Sequence, residues 1–394
     1  MKRFIIILFL VGFTGAVEAE EQPVSLEKPI ILESNETFDG EGRTYESCGH
    51  PAFIMRGTGT LLEHVTIEQC AGEEVPAIQV SGLGHQILDI SIQASGVGIQ
   101  VEDSYGVRIL RTNIEGDGTK EGVALFNSEA AELKGVVVEN VRDGIYIEQG
   151  SHHTLIRPVV SHSRYGIHLM FPTDVTISFP QLHHNGTGAM IMGTDQVVFK
   201  NGQVHDQIGG TAMGLMLYEA VGTTIDMTEI RGNRIGIYAE QSEWTTLQRN
   251  DINGNQIGLR FKQANDMTIL QNNMMGNRYP VTMFESANNV VQANVWGGRT
   301  LDVDGDGLSE IPFRADPYLF TLTDTYEAFE LLYGSPGLVM LETILRSPDD
   351  VSLTDEAPRI SEGRWEWNGS IKQGAILLVI LLIWNFGRKQ NEIL

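Results

Sequence analysis

Apolar residues in this chain recur in pairs two positions apart, and the pairs return with a period of about 22 residues. Aligned on a leading glycine, Gly98-Ile-Gln-Val, Gly122-Val-Ala-Leu, Gly144-Ile-Tyr-Ile, Gly166-Ile-His-Leu, Gly188-Ala-Met-Ile, Gly214-Leu-Met-Leu, Gly236-Ile-Tyr-Ala and Gly258-Leu-Arg-Phe share one register. The steps between them are 24, 22, 22, 22, 26, 22 and 22 residues. Copies that begin at Pro51, Pro76 and Pro280 extend the array to eleven. In each copy the residues one and three after the leader are apolar, as in Ile145 and Ile147 or Ile167 and Leu169, so a strand would turn both inward. A second apolar pair follows about nine and eleven places on (Val175 and Ile177, Val197 and Phe199, Met267 and Ile269), and a third near sixteen (Val138, Val160, Val204, Ile230, Ile252). Corner sequences such as Asn185-Gly186, Asn253-Gly254-Asn255 and Gly276-Asn277 supply positive-φ positions for sharp turns. A 3.6-residue period, which an α-solenoid would need, is absent from this pattern. The chain is therefore predicted to be all-β, a right-handed parallel β-helix of about eleven coils with three short strands per coil.

Strict alternation places the residues two and four after the leader on the outside, stacked into columns with about 4.8 Å between coils. Position two gives Gln100, Ala124, Tyr146, His168, Met190, Met216, Tyr238, Arg260 and Thr282; position four gives Glu102, Phe126, Glu148, Met170, Met192, Tyr218, Glu240, Lys262 and Phe284. His168, Met170, Met190, Met192 and Met216 thus share a patch about 10 Å high, bordered by Tyr146, Tyr218 and Tyr238. Thioethers with one imidazole make a soft donor set that selects Cu(I) over Ca²⁺ or Mg²⁺. The competing reading is an apolar docking patch, since Met and aromatic residues are also enriched at protein interfaces. His162 and His184 fall at equivalent corners, with His152, His153, His183 and His205 at turns; most of these are read as exposed corner residues, a metal role for the His162/His184 pair being the alternative. After the last coil, Asp302, Asp304 and Asp306 with Gly307 resemble the front half of a calcium loop, but Phe313 stands where the bidentate Glu is expected. An Asp/Gly-rich turn capping the solenoid accounts for the same residues.

The two ends add compartment and anchoring. Residues 1–19 carry Lys2 and Arg3, an apolar run from Phe4 to Phe13 and a small-residue end at Ala19, the layout of a secretory signal peptide. Residues 20–50 are expected to form an N-terminal cap, 51–294 the β-helix and 295–365 an Asp/Gly-rich cap with a C-terminal extension. Within 366–394, the apolar stretch Ile371–Phe386 followed by Arg388 and Lys389 predicts a membrane helix with a short cytoplasmic tail. A formal charge of −24, from 51 acidic against 27 basic residues, argues against a nucleic-acid partner. The only cysteines, Cys48 and Cys70, lie near the start of the solenoid, where either a disulfide or two free thiols fits an exported chain.

Tyr165-Gly-Ile-His-Leu-Met170, Gly214-Leu-Met-Leu-Tyr218 and the closing Trp296…Asp302-Val-Asp-Gly-Asp-Gly-Leu-Ser-Glu-Ile-Pro-Phe313 resemble the NosD family over roughly residues 25–345. Where that family commonly carries Trp-Ser-Asp-Tyr before the acidic turn, this chain has Trp296-Gly-Gly-Arg299. The resemblance implies a periplasmic maturation factor of denitrification, not an enzyme; the apolar C-terminal segment, read from the sequence alone, would tether it to the inner membrane. It would work with the membrane and ATPase subunits of an ABC transporter, take Cu(I) transiently from a copper chaperone lipoprotein, and serve the copper–sulfur centre of nitrous oxide reductase. The rival expectation is a carbohydrate-active β-helix, a polysaccharide lyase or epimerase, with Arg260 and Lys262 beside Tyr238, Glu240 and Phe284 furnishing a groove. A metal-free docking module is the third.

Overall fold

A computed structural model describes residues 22–297, 300–316 and 352–361, together with Ser335, Gly337, Met340 and Ser347. The expected signal peptide and the apolar segment within 366–394 lie outside the described residues. Among the described residues no helix is long and apolar enough to cross a membrane. The chain divides after Arg359 into two units, and the solenoid lies wholly in the first.

The period of about 22 residues folds as expected into a parallel β-helix. Twelve strands, from Ile30–Leu32 to Tyr279–Phe284, pair in sequence order into one parallel sheet. The other two faces belong to a single hydrogen-bonded ladder, because the early strands Leu61–Gln69 and Gln86–Gln93 run unbroken around a corner that later coils interrupt. From Arg108–Leu110 and Asn113–Glu115 onward each coil divides that run into two strands, both registered on Gln86–Gln93. The structure has one coil more than the repeat count, because Ile30–Leu32, led by Pro29, pairs with Phe53–Thr58 inside the stretch expected to be an N-terminal cap. Register also moves two leaders by one place: Phe53 pairs with Ile78 and Ile78 with Ile99, so Ala52 and Ala77, not Pro51 and Pro76, match Gly98.

Inward residues of all three faces form one core. Ile145, Ile147, Ile167, Leu169, Ile177, Phe199, Val160 and Val204 are completely buried, stacking like on like along the axis. The leading glycine has a steric cause. A Cβ at Gly166 would lie 2.5 Å from the backbone oxygen of Gly188 on the next coil and 3.3 Å from the Leu182 side chain. At this rung only a hydrogen fits where the chain bends onto its strand.

Buried asparagines join the coils at their corners. Asn250, Asn272 and Asn294 form a column in which each side-chain amide donates to the side-chain oxygen of the next, both at 2.9 Å. Asn233, Asn255 and Asn277 form a second such column. The first column ends on Asp355, whose Oδ2 accepts from the Asn294 backbone and side chain and from Trp296 Nε1 at 2.9 Å. Asp355 closes a strand, Leu353–Asp355, paired antiparallel with Phe313–Ala315, and Phe313 stacks on Trp296 at 4.3 Å. At the opposite end Cys48 and Cys70 are disulfide-bonded, with Cα atoms 5.1 Å apart, resolving the alternative the sequence left open.

Candidate metal centre

The five soft donors come from three adjacent strands, Tyr165–Met170, Thr187–Met192 and Met213–Tyr218. His168 pairs with Met190 and Met190 with Met216 in one column; Met170 pairs with Met192 and Met192 with Tyr218 in the other. The structure thus brings all five together on consecutive rungs.

The first column is not open to solvent, as alternation had suggested. His168 and Met190 are each only 7% exposed, whereas Met170, Met192 and Met216 are half-buried. The cause is the bend at the glycine, which interrupts alternation and turns the preceding residue outward as well. Asp143, Tyr165, Thr187, Met213 and Ile235 form this third column. It flanks the first, with Tyr165 4.8 Å from the His168 ring and both Met213 and Tyr238 packed against the cluster of Ile235, Ile257 and Tyr279. Sequence reasoning missed this row. A signal was present, since Asp143, Tyr165 and Thr187 are too polar for the core position that alternation gives them.

Asp143 is the residue that organises the site. Its side chain is 1% exposed, and Oδ2 accepts from His168 Nδ1 at 2.9 Å. Arg164 grips both oxygens, Nε to Oδ1 at 2.9 Å and Nη2 to Oδ2 at 2.6 Å, while its guanidinium lies 4.6 Å over the Tyr165 ring. Burial pushes the carboxyl pKa up, but the hydrogen bonds from His168 and Arg164 outweigh it and hold Asp143 below the usual carboxylate range. An ionised carboxylate only accepts, so the imidazole proton sits on Nδ1 and the Nε2 lone pair remains for a metal. On the other side Tyr146 lies 5.0 Å from the His168 ring; its hydroxyl donates to Glu148 at 2.7 Å and sits 3.2 Å from Met170 Sδ. Burial, followed by the Glu148 charge, raises the Tyr146 pKa, so the phenol stays neutral. The result is a small bay walled by Tyr146 and Tyr165, in which an oriented imidazole meets thioethers.

On the two coils that follow Met216, the groups that could have served sugar chemistry are engaged with one another. Lys262 Nζ lies 2.5 Å from Glu240 Oε1, and Tyr238 donates to Glu240 at 2.6 Å, its pKa pushed up to about 12 by burial and that carboxylate. In the acidic turn, the carboxylates of Asp302, Asp304 and Glu310 converge, whereas Asp306 accepts from the Leu308 backbone at 2.8 Å. Asp302 likewise accepts from Gly305 and Gly307, so these side chains stabilise the turn itself. His153, expected at an exposed turn, is 1% exposed; it pairs with Val175 and faces the core.

A family model described as periplasmic copper-binding protein (NosD) matches residues 104–300, half the chain. The chain belongs to the NosD family. That span contains Asp143, His168 and all four methionines of the bay, and it ends before Asp302. No curated protein matches the sequence. Among solved structures this NosD chain is similar to the A-module of the mannuronan C-5 epimerase AlgE6 of Azotobacter vinelandii, at 13% identity and TM-score 0.60, covering 69% of this chain and 87% of that one. It is also similar to the periplasmic alginate epimerase AlgG, at 12% identity and TM-score 0.58, covering 68% and 77%. At such identities the likeness is one of fold.

Proposed function

We propose that this protein is a non-catalytic copper-transfer factor that takes Cu(I) at the bay formed by His168, Met170, Met190, Met192 and Met216 and passes it on for assembly of the copper–sulfur centre of nitrous oxide reductase. The observation that carries the reading is the pairing of an imidazole, held by Asp143 through Nδ1, to thioethers on the same and next rungs. Thioether and imidazole suit Cu(I), and thioethers bind it without a charge of their own. The half-buried Met170, Met192 and Met216 leave a route for ligand exchange. A donor chaperone offers the ion, the bay replaces the donor's ligands one at a time, and an acceptor with thiolate, sulfide or imidazole ligands draws it out. No covalent bond of a substrate is made or broken. In this reading an ABC transporter holds the factor at the inner membrane through the apolar C-terminal segment, and the fold-level likeness to epimerases supplies no sugar chemistry.

The test replaces Met170, Met190 and Met192 together by Leu, which keeps volume and apolarity. In anaerobic competition titrations with a chromophoric Cu(I) chelator, the triple variant should bind Cu(I) at least tenfold more weakly than wild type, with an unchanged melting temperature. Cells that depend on it should accumulate reductase lacking its copper–sulfur centre. Equal Cu(I) affinity in the two proteins would reject the assignment and favour an apolar docking patch, which Leu serves as well as Met.

A further inference from the structure

Away from that bay, histidines gather at one corner of the solenoid. The strands Val159–Ser161, Gln181–His183 and Gln203–His205 stack Ser161, His183 and His205 in one column. Each is followed by a corner residue with positive φ: His162 at 54°, His184 at 56° and Asp206 at 53°. Two adjacent columns thus hold four imidazoles. His162 stacks on His184 at 5.5 Å, His183 stacks on His205 at 5.5 Å, and His183 meets His184 edge-on at 5.1 Å.

The outer rings are held through Nδ1, His162 by Glu139 at 3.0 Å and His205 by Asp206 at 2.9 Å. The inner rings behave differently, because Nδ1 of His183 and Nδ1 of His184 face each other 2.9 Å apart. Two lone pairs at that distance repel unless a proton or a metal ion lies between them. The geometry points to a second cation site, in which Nδ1 of His183 and of His184 bind one Cu²⁺ ion as neighbouring ligands. Two metal–nitrogen bonds of about 2.0 Å at a right angle set the nitrogens about 2.8 Å apart, whereas a tetrahedral angle sets them about 3.3 Å apart. The observed spacing fits the tetragonal preference of Cu²⁺ better than that of Zn²⁺. Imidazoles without thioethers also favour the divalent ion, so this corner and the methionine bay would take different oxidation states. The site stands independently of the proposed transfer of Cu(I).

The solenoid itself supplies mild substitutions for the test. Position 183 corresponds to Ser161 on the preceding coil, and position 184 lies 44 residues after Asn140, which holds the same corner with φ 54°. His183→Ser and His184→Asn therefore install residues already used at these places, and Asn tolerates positive φ well. The full chain is titrated with Cu²⁺ under oxidising conditions and followed by electron paramagnetic resonance. Wild type should bind one ion with nitrogen hyperfine structure in a tetragonal spectrum, and the triple Met→Leu variant should retain that signal. The double variant should lose it, with at least thirtyfold weaker affinity, and each single variant should fall between. Zn²⁺ should compete poorly. A spectrum unchanged in the double variant, or one without nitrogen coupling in wild type, would overturn the site and leave a hydrogen bond between the two rings as its explanation.

Discussion

In the proposed site Asp143 would bind no metal itself and would act through His168, whose Nδ1 it holds. If it fixes the His168 tautomer, Asp143→Asn should weaken Cu(I) binding by about 10–100-fold, because an amide can accept through only one atom and Arg164 competes for it. Binding titrations beside a thermal melt would separate this effect from unfolding. Loss of stability without loss of affinity would make Asp143 a packing residue only. His153 poses a different test. Burial, with smaller contributions around it, lowers its pKa to about 4, while an unfolded imidazole titrates near 6.5. Between these values the unfolded chain takes up a proton that the native one refuses, so stability falls as the pH drops from about 6.5 to about 4, by about 3 kcal/mol in all. Denaturant melts of His153→Val, which copies the inward Val175 of the next coil, should show a shallower loss across that window than wild type. The soft donors were readable from the sequence as residue types at a spacing. Asp143 and His153 were not, because the bend at each glycine and the corner before each second strand reset which face a residue meets.

At the level of strands and coils the sequence was more generous. A leading glycine, two alternating apolar residues and an Asn/Gly corner recur often enough to fix phase, and the inward residues of all three faces lie where the phase puts them. It failed at Ile30–Leu32, a coil led by Pro29 but read as part of a cap, and where a proline stands one place before the true leader, as at Pro51 and Pro76. The disulfide belongs to this scale, since Cys48 and Cys70 are 22 residues apart and clamp one coil to the next. Closing a loop of that length contributes about 3 kcal/mol. Terminal coils have a neighbour on one side only, so the loss should stay local. In the Cys48→Ser/Cys70→Ser variant, amide exchange should accelerate in the first three coils and hold steady near His168. Uniform acceleration along the chain would show that the solenoid unfolds as one cooperative unit.

Across the whole molecule, contacts run from each coil to the next, so a site built on consecutive rungs inherits its spacing from the sheet rather than from loops. That rigidity suits both the methionine bay and the histidine corner, and it explains why family membership and the epimerase-like architecture coexist at low identity: the scaffold is shared, and the outward columns are free to differ. The far end of the scaffold obeys a rule of its own. An asparagine amide both gives and takes a hydrogen bond, so the column through Asn250, Asn272 and Asn294 resembles a growing polymer whose last unit always offers one more reactive group. A carboxylate takes and gives nothing. Asp355 is in that sense a chain terminator, and Asp355→Asn reopens the end by burying an N–H with no acceptor, at a cost of about 1–3 kcal/mol. Amide exchange should then quicken from Asn294 backward, and at high concentration the molecules should associate end to end, as light scattering would reveal.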